Sequence, residues 1–244
     1  MLRKIYTKWT ICICTCICVC IACSDYLDVV PDDGIATLEN AFAMRSEAER
    51  YLFTCYSYMP HDGNLNSDPA IMGGDEIWTG IDLTYIPVFN NYVMFNIARG
   101  LQNKTSPIGG GNWASLYQAI RVCNIFLENI NSVPDIKEGE KMQWIAEATF
   151  LKAYYHFYLV RMYGPIPIIR KNLPISAVPE EVKVSRDPVD ECFDYIVELL
   201  NEALPWLPPT VINPVDESGR ITQPIAAALK AKVLITAASP LFNG

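Results

Sequence analysis

The chain has 244 residues, with 19 basic side chains against 27 acidic ones, and is 51% hydrophobic. Three of the basic groups, Arg3, Lys4 and Lys8, precede residue 23, and every acid follows it, so the body of the protein is strongly acidic. That balance excludes nucleic acid or an anionic membrane surface as a natural partner, and the apolar content excludes a disordered chain.

The first 22 residues read as an address rather than as part of the fold. Met1–Thr10 is short and basic, and Ile11–Ala22 is a short apolar run. A bilayer span needs roughly 20 apolar residues, so this run is a secretory signal peptide rather than a transmembrane helix. Ala22-Cys23 resembles a bacterial lipobox, in which a small residue precedes the cysteine that becomes the acylated N-terminus. Cys20 stands where the lipobox usually has an apolar residue. The predicted lipid anchor is therefore Cys23, with palmitate-type acyl chains holding it in a membrane; the plainer alternative is an ordinary signal that leaves Cys23 unmodified. The acidic stretch Asp25, Asp28, Asp32 and Asp33 resembles a surface-export signal of Bacteroides-like lipoproteins, or serves as a solvated tether.

This boundary changes the cysteine count. Of nine cysteines, Cys12, Cys14, Cys16, Cys18 and Cys20 leave with the signal and Cys23 is acylated. Cys55, Cys123 and Cys192 remain, on three separate helical patterns. At most one disulfide can form among them, and buried free thiols acting as small hydrophobes are the expected state.

From Ser46 the pattern Ser-Glu-Ala-Glu suggests a capping box closed by Glu49. Tyr51, Leu52, Cys55, Tyr58 and Met59 keep helical spacing up to Pro60. Residues 60–111 differ in kind. They hold His61-Asp62-Gly63, Gly73-Gly74-Asp75-Glu76, Trp78 and Gly109–Gly111, and read as a long, partly helical loop insertion with a short helix near 87–99. Long loops of this kind in compact domains are usually functional or disordered.

Asn112 is placed to cap a second strong helix, along which Trp113, Leu116, Tyr117, Ile120, Cys123, Leu127 and Ile130 step by three and four until Pro134. The third helix, 138–163, carries two apolar stripes: Trp144, Ala148, Leu151, Tyr155, Tyr158 and Met162, and beside it Phe150, Tyr154 and Phe157. A helix apolar on two faces lies between neighbours. Gly164 supplies a left-handed C-cap, and Pro165 and Pro167 stop the helix. Residues 166–179 should be extended. Asp187-Pro188 caps a fourth helix, with Pro188 at its first position and Phe193, Ile196, Val197, Leu200 and Leu204 facing in; Asp190, Glu191, Asp194, Glu198 and Glu202 form its solvated face. A fifth helix runs from Pro224 to Ser239-Pro240. Its alanines (Ala226, Ala227, Ala228, Ala231, Ala237 and Ala238) allow a partner helix to come close. Trp113 and Trp144 fall on core stripes, and Trp206 is expected to pack at a helix end.

Paired helices of this kind predict an all-α, tetratricopeptide-like scaffold, in which stacking of helix pairs buries a shared core. Several segments carry a more specific likeness. Asp25-Tyr26-Leu27-Asp28 with Pro31, Trp113–Glu128 (WASLYQAIRVCNIFLE), Ala146–Pro167 (AEATFLKAYYHFYLVRMYGPIP) and Gly219–Gly244 (GRITQPIAAALKAKVLITAASPLFNG) resemble, in order, segments of the SusD/RagB nutrient-binding lipoproteins. Lys152 stands where that family more often has Arg.

The resemblance implies a signal over 1–22 and a SusD-like N-terminal helical domain over 23–244, cut short on its C-terminal side. It implies a lipid-anchored protein on the outer face of the outer membrane, seated on a SusC-like TonB-dependent transporter. Such a protein captures oligosaccharide or polysaccharide and hands it on without bond chemistry or a cofactor. A peptide-binding member of the same family, or a helical scaffold that contacts only proteins, is the alternative.

Candidate ligand groups lie in the insertion. Asp75 and Glu76 can accept bonds from sugar hydroxyls, Trp78 can stack on the apolar face of a pyranose, and the preceding glycines let backbone approach a ligand. Tyr85, Asn90 and Asn91 are secondary candidates for the same groove. The plainer reading is a loop tied down by local Asp bonding, with Trp78 packed on the scaffold. A glycoside hydrolase would need two carboxyls about 5–9 Å apart across the scissile bond, a geometry that adjacent residues do not establish. The chain has two histidines, His61 and His156, and neither has a metal-ligand partner at the usual spacing; His156, between aromatic stripes, reads as structural. No nucleophile elbow, phosphate loop or dinucleotide fingerprint occurs.

Overall fold

The computed structural model describes residues 38–61, 69–74, 94–105, 107–109, 111–174 and 176–243. The chain divides into two units, Met1–Ala41 and Phe42–Gly244. In the first, one turn of helix is described, α1 (Leu38–Ala41). The second is an all-α stack of tetratricopeptide-like helices, with no strand among the described residues.

Helix α2 (Arg45–Tyr56) starts earlier than the capping-box pattern suggests: Met44 holds the N-cap position, and no side chain caps the helix. Ser46 is already inside. The reason is long-range. The Arg45 N–H donates to Asp135 Oδ1 at 2.6 Å, and Glu49 pairs with Arg45 at 3.2 Å instead of reaching back to the helix start. Ala48, Leu52 and Cys55 form the buried face.

Two short helices, α3 (Pro69–Gly73) and α4 (Phe95–Ala98), flank the centre of the insertion. The short helix expected near 87–99 is thus helical over 95–98 among the described residues. Helix α5 (Gly111–Asn129) runs on into a 3₁₀ turn, Ile130–Ser132. Asn112 lies inside α5 and not at its cap; its amide points away, 3.4 Å from Met162 Sδ.

Helix α6 (Glu138–Tyr163) has the predicted bounds. Gly164 beyond it has φ 71° and ψ −134°. The positive φ favours glycine, as expected, but ψ is extended and lies outside the left-handed helical well. A further turn, α7 (Pro179–Val182), interrupts the extended stretch. Helix α8 (Val189–Ala203) has Pro188 in the N-cap position, one residue before the place expected for it. Asp187 does not cap the helix: its carboxylate accepts the Ile168 N–H at 2.7 Å, while its own N–H donates to the Ile166 carbonyl. Helix α9 (Gln223–Ala237) and a last turn, α10 (Pro240–Asn243), follow.

Helix α6 is the axis of the stack. It packs against α5 on one side and α8 on the other, α2 packs on both α5 and α6, and α9 packs on α8 and reaches α6. Enclosed in this way, α6 buries Trp144, Ala148, Leu151, Tyr155, Phe157 and Leu159 around much of its circumference. Each fully buried side chain of this size contributes about 1.5–3 kcal/mol. On α9 the expected close approach is made by Ala226, which is buried, whereas Ala227, Ala228, Ala231 and Ala238 are exposed.

Four polar side chains of α6 are buried with the apolar ones: Glu147, Thr149, Lys152 and His156. Glu147 accepts the Tyr56 hydroxyl at 2.6 Å and the Gln143 amide at 2.9 Å. Arg220, itself buried, donates to Glu147 at 3.0 Å, and its Nη1 lies 3.5 Å from Glu49 and 3.6 Å from Glu217. The Ile221 N–H donates back to the Tyr56 hydroxyl at 3.1 Å. This network joins α2, α6 and the segment that leads into α9. Burial, followed by the Glu147 charge, pushes the Tyr56 hydroxyl far up. Burial acts to lower Arg220, but Glu147 overcomes it and the guanidinium is held charged.

Candidate functional site

Asp75, Glu76, Trp78, Tyr85, Asn90 and Asn91 lie outside the described residues, as does Cys23. What the structure describes is the root from which the segment carrying the candidate ligand residues departs and to which it returns. Helices α3 and α4 pack together. At Gly73 a Cβ would fall 3.1 Å from Ile97 Cγ2, tighter than ordinary van der Waals contact. The space that the missing side chain leaves at Gly73 is therefore taken by Ile97. Residues 73 and 97 are therefore held side by side.

The seat of that root is the C-terminal end of α6. At Gly109, where φ is 76°, a Cβ would lie 3.0 Å from Met162 Cε and 3.9 Å from Met94 Cε. The Tyr163 hydroxyl donates to the Gly109 carbonyl at 2.8 Å. Glycine is favoured here by the positive φ, and the flexible end of Met162 lies against it.

Beside this seat Trp113 sits in an aromatic cage. Its ring centroid is 5.0 Å from Tyr117 and 5.2 Å from Tyr163, and the Arg186 guanidinium covers it at 5.1 Å. Arg186 also donates to the carbonyls of Tyr163 (3.1 Å) and Pro165 (3.0 Å), and Tyr117 donates to Pro167 at 2.9 Å. Trp113 is half-buried, not a full core residue. The polar edges of the cage are spent on backbone carbonyls and one indole face is occupied by a cation. The cage therefore acts as architecture: it holds the turn at 109 and the exit from α6 in fixed relation. Burial pushes the Tyr117 and Tyr163 hydroxyls up, which keeps both as neutral donors.

A second anchor holds the extended stretch after α6. Lys152 Nζ donates to the Arg170 carbonyl at 2.7 Å, and Asn172 bridges to Asn124 (3.4 Å) and to the Arg121 carbonyl (3.1 Å). Tyr195 from α8 lies under both cations, with Arg170 4.3 Å and Lys152 5.8 Å from its centroid. Burial lowers Lys152 to about 8. His156 is enclosed in the same core, its Nδ1 2.7 Å from the Lys152 carbonyl and its ring edge-on to Tyr195. Burial pushes it down to about 4, so it is neutral at physiological pH. Its Nε2 has no hydrogen-bond partner among the described residues. The structural reading of His156 holds.

Trp206 departs from expectation. It lies in the 3₁₀ turn Leu204–Trp206 and is 54% exposed, not packed at the helix end. Leu207 fills the inner site instead, at 3% exposure. Nearby is an open depression of about 480 Å³ lined by Leu204, Pro205, Pro209, Gln223, Pro224 and Ala227. One amide is too little polarity for hydroxyl recognition. Among the described residues no three His, Cys, Asp or Glu side chains gather into a metal-binding group, and no helix is long and apolar enough to cross a membrane.

The residues that sequence reasoning missed are those of the buried network. Glu147 sits on an apolar stripe between Trp144 and Leu151, and an acid in that position signals a buried cation from elsewhere in the chain. Arg186 and Arg170, each covering an aromatic ring, left no local pattern to read.

Comparison with known proteins gives concordant results. The SusD-like family described as "starch-binding associating with outer membrane" matches residues 88–235. A SusD-like protein of Formosa agariphila is 24% identical over 217 residues, which cover 87% of this chain and 40% of that protein. The crystal structure of a SusD-like protein from Bacteroides fragilis superposes with a TM-score of 0.63 at 26% identity, covering 80% of this chain and 35% of that one. A laminarin-binding SusD-like protein gives a TM-score of 0.66 at 24% identity, over 80% of this chain and 40% of its own, and shows the likeness of fold. The chain thus spans about two-fifths of the length of these relatives.

Proposed function

Because the chain belongs to the SusD-like family, we propose that it is a non-catalytic, cell-surface lipoprotein that binds glycans and delivers them to a SusC-like TonB-dependent transporter in the outer membrane. Residues 1–22 act as its export signal, Cys23 carries the acyl anchor, and residues 23–244 form its N-terminal helical domain. The family match over residues 88–235 is the observation that carries this reading. The physical arrangement agrees with it. Residues 73 and 97 are held side by side, and the sequence between them carries Asp75, Glu76, Trp78, Tyr85, Asn90 and Asn91, side chains that can stack on and hydrogen-bond to a sugar. Holding the ends reduces the ordering cost of binding.

Two measurements test it. Isothermal titration against a panel of starch fragments, β-glucans and peptides should give heat with at least one polysaccharide, and Trp78→Ala should weaken that response by tenfold or more. Heat with peptides alone would move the ligand class to peptides, and silence across the panel would favour a protein-contacting scaffold. Labelled palmitate should be incorporated by the native chain and not by Cys23→Ala; equal labelling of the two would refute the anchor.

A further inference from the structure

Helix α9 is apolar on two sides. Ala226, Leu229 and Val233 are buried against the stack. With 3.6 residues per turn, Ala231 lies on the opposite side. Around it Ala227, Ala228, Leu234, Ile235 and Ala238 have their surface in water, and Lys232 brings a charge to their edge, except that Ala238 stands just past the helix end. Leu234 is 49% exposed, Ile235 74%, and Leu241 of α10 80%. At the start of the helix the face continues through Pro224 and Ala227 into the depression beside Leu204 and Pro205. A helix that is apolar on both sides lies between neighbours. Helix α6 has them in α5 and α8; α9 rests on α8 and α6 and leaves its other side exposed.

We propose that the outer face of α9 is an internal packing surface, covered in the native protein by an amphipathic helix of the same polypeptide that follows residue 244. Two observations favour that occupant over a separate molecule. The chain spans about two-fifths of the length of its relatives, so a protein of their size has polypeptide to supply the cover. The last turn, α10, packs on α9 and sets Phe242 against Phe193 at 5.1 Å, so a following segment departs from the edge of this face.

A second copy fits the face poorly. The face is that of one helix, about 22 Å long at 1.5 Å per residue and about 10 Å wide, whereas a stable complex of separate chains buries about 800 Å² on each side. Separate chains must also give up translational and rotational freedom that a tethered helix has already lost. An antiparallel crossing about a two-fold axis at Ala231 would bring Lys232 against its own copy. The cover therefore carries an apolar stripe toward Ala231 and Ile235 and a carboxylate near Lys232. It makes α9 a shared element, packed on both sides as α6 is. The inference depends neither on export nor on a sugar ligand.

The test uses the protein made from its own gene in its host. Ile235→Cys is placed in that gene, and so, as a control, is Val215→Cys, which replaces a side chain 89% exposed in the segment leading into α9. The purified native proteins are treated with N-ethylmaleimide, and alkylation is followed peptide by peptide. The thiol at position 235 should react at least tenfold more slowly than the one at 215, and the intact mass should clearly exceed that of the 244 residues. Comparable rates at the two positions overturn the proposal, as does an intact mass no greater than that of the 244 residues. Protection at 235 that is lost on dilution also overturns it, by assigning the cover to a second copy or to another protein. Ala231→Cys, a smaller change on the same face, gives the same reading should Ile235→Cys fail to fold.

Discussion

Arg220 reaches Glu147 across 73 positions of chain, donating through both Nε and Nη2 to a carboxylate that has no solvent exposure. The pair is the centre of the network that holds α2, α6 and the entry to α9 in one piece. Removing one member of a buried pair leaves the other charged and unpaired, which costs about 3–5 kcal/mol. Arg220→Met should therefore lower the free energy of urea unfolding by that amount. Arg220→Met combined with Glu147→Gln should recover part of the loss, because the neutral amide no longer needs a cation. A single variant within about 1 kcal/mol of the native protein would show that the pair is not the tie it appears in the structure.

His156 gives a defined pH dependence. Burial holds its folded pKa near 4, against an ordinary 6.5. Between those values the unfolded chain binds the proton and the folded one does not. Stability from this group is therefore complete above pH 6.5 and falls as pH drops toward 4, by about 3 kcal/mol in all. Urea unfolding midpoints measured from pH 7 to pH 4 should fall less steeply in His156→Gln than in the native protein. Parallel pH profiles for the two would refute the assignment.

The contact between Gly73 and Ile97, at the root of the proposed binding segment, can be probed from both sides. Gly73→Ala places a methyl 3.1 Å from Ile97 Cγ2, so α3 and α4 must move apart slightly. The expected effect is a loss of about 1 kcal/mol or less in global stability, together with weaker ligand binding, as the loop ends are no longer held in register. Ile97→Ala in the same chain removes Cγ2, the nearest atom, and leaves Cβ at 3.3 Å, so it should restore much of the affinity. Calorimetric titration that shows no rescue would separate the loop ends from the binding function.

Asp187 ties the extended stretch after α6 to the start of α8 through the Ile168 N–H. Asp187→Ala leaves that amide without its partner and should cost about 1–2 kcal/mol. Amide exchange should locate the change. Protection should fall at Ile168 and in the first turn of α8, and should be retained in the middle of α6. Loss confined to the first turn of α8 would indicate an ordinary helix cap instead.

The bounds of α6 were legible because local signals agreed there: two apolar stripes, a glycine after the last residue, and prolines beyond. The starts of α2, α5 and α8 were misread for one shared reason. Ser46, Asn112 and Asp187 look like caps in a short window, but distant partners compete. Asp135 takes the N–H at the start of α2, Met162 attracts the Asn112 amide, and Ile168 takes the Asp187 carboxylate. Trp206 was misplaced because Leu207, one residue on, fits the inner site. The candidate ligand residues were chosen by side-chain chemistry alone, and what the fold adds to them is the closed root at Gly73 and Ile97.

Arrays of stacked helix pairs usually lose their outer members first, because each pair touches its neighbours alone. Here one helix of 26 residues is in contact with α2, α5, α8 and α9 together, so an outer member has little freedom to peel away by itself. The stack should melt as a single block, with the slowest-exchanging amides of α2, α5 and α8 sharing the opening free energy of α6. A protease meeting the native stack would then have to wait for the whole block to open before it could cut.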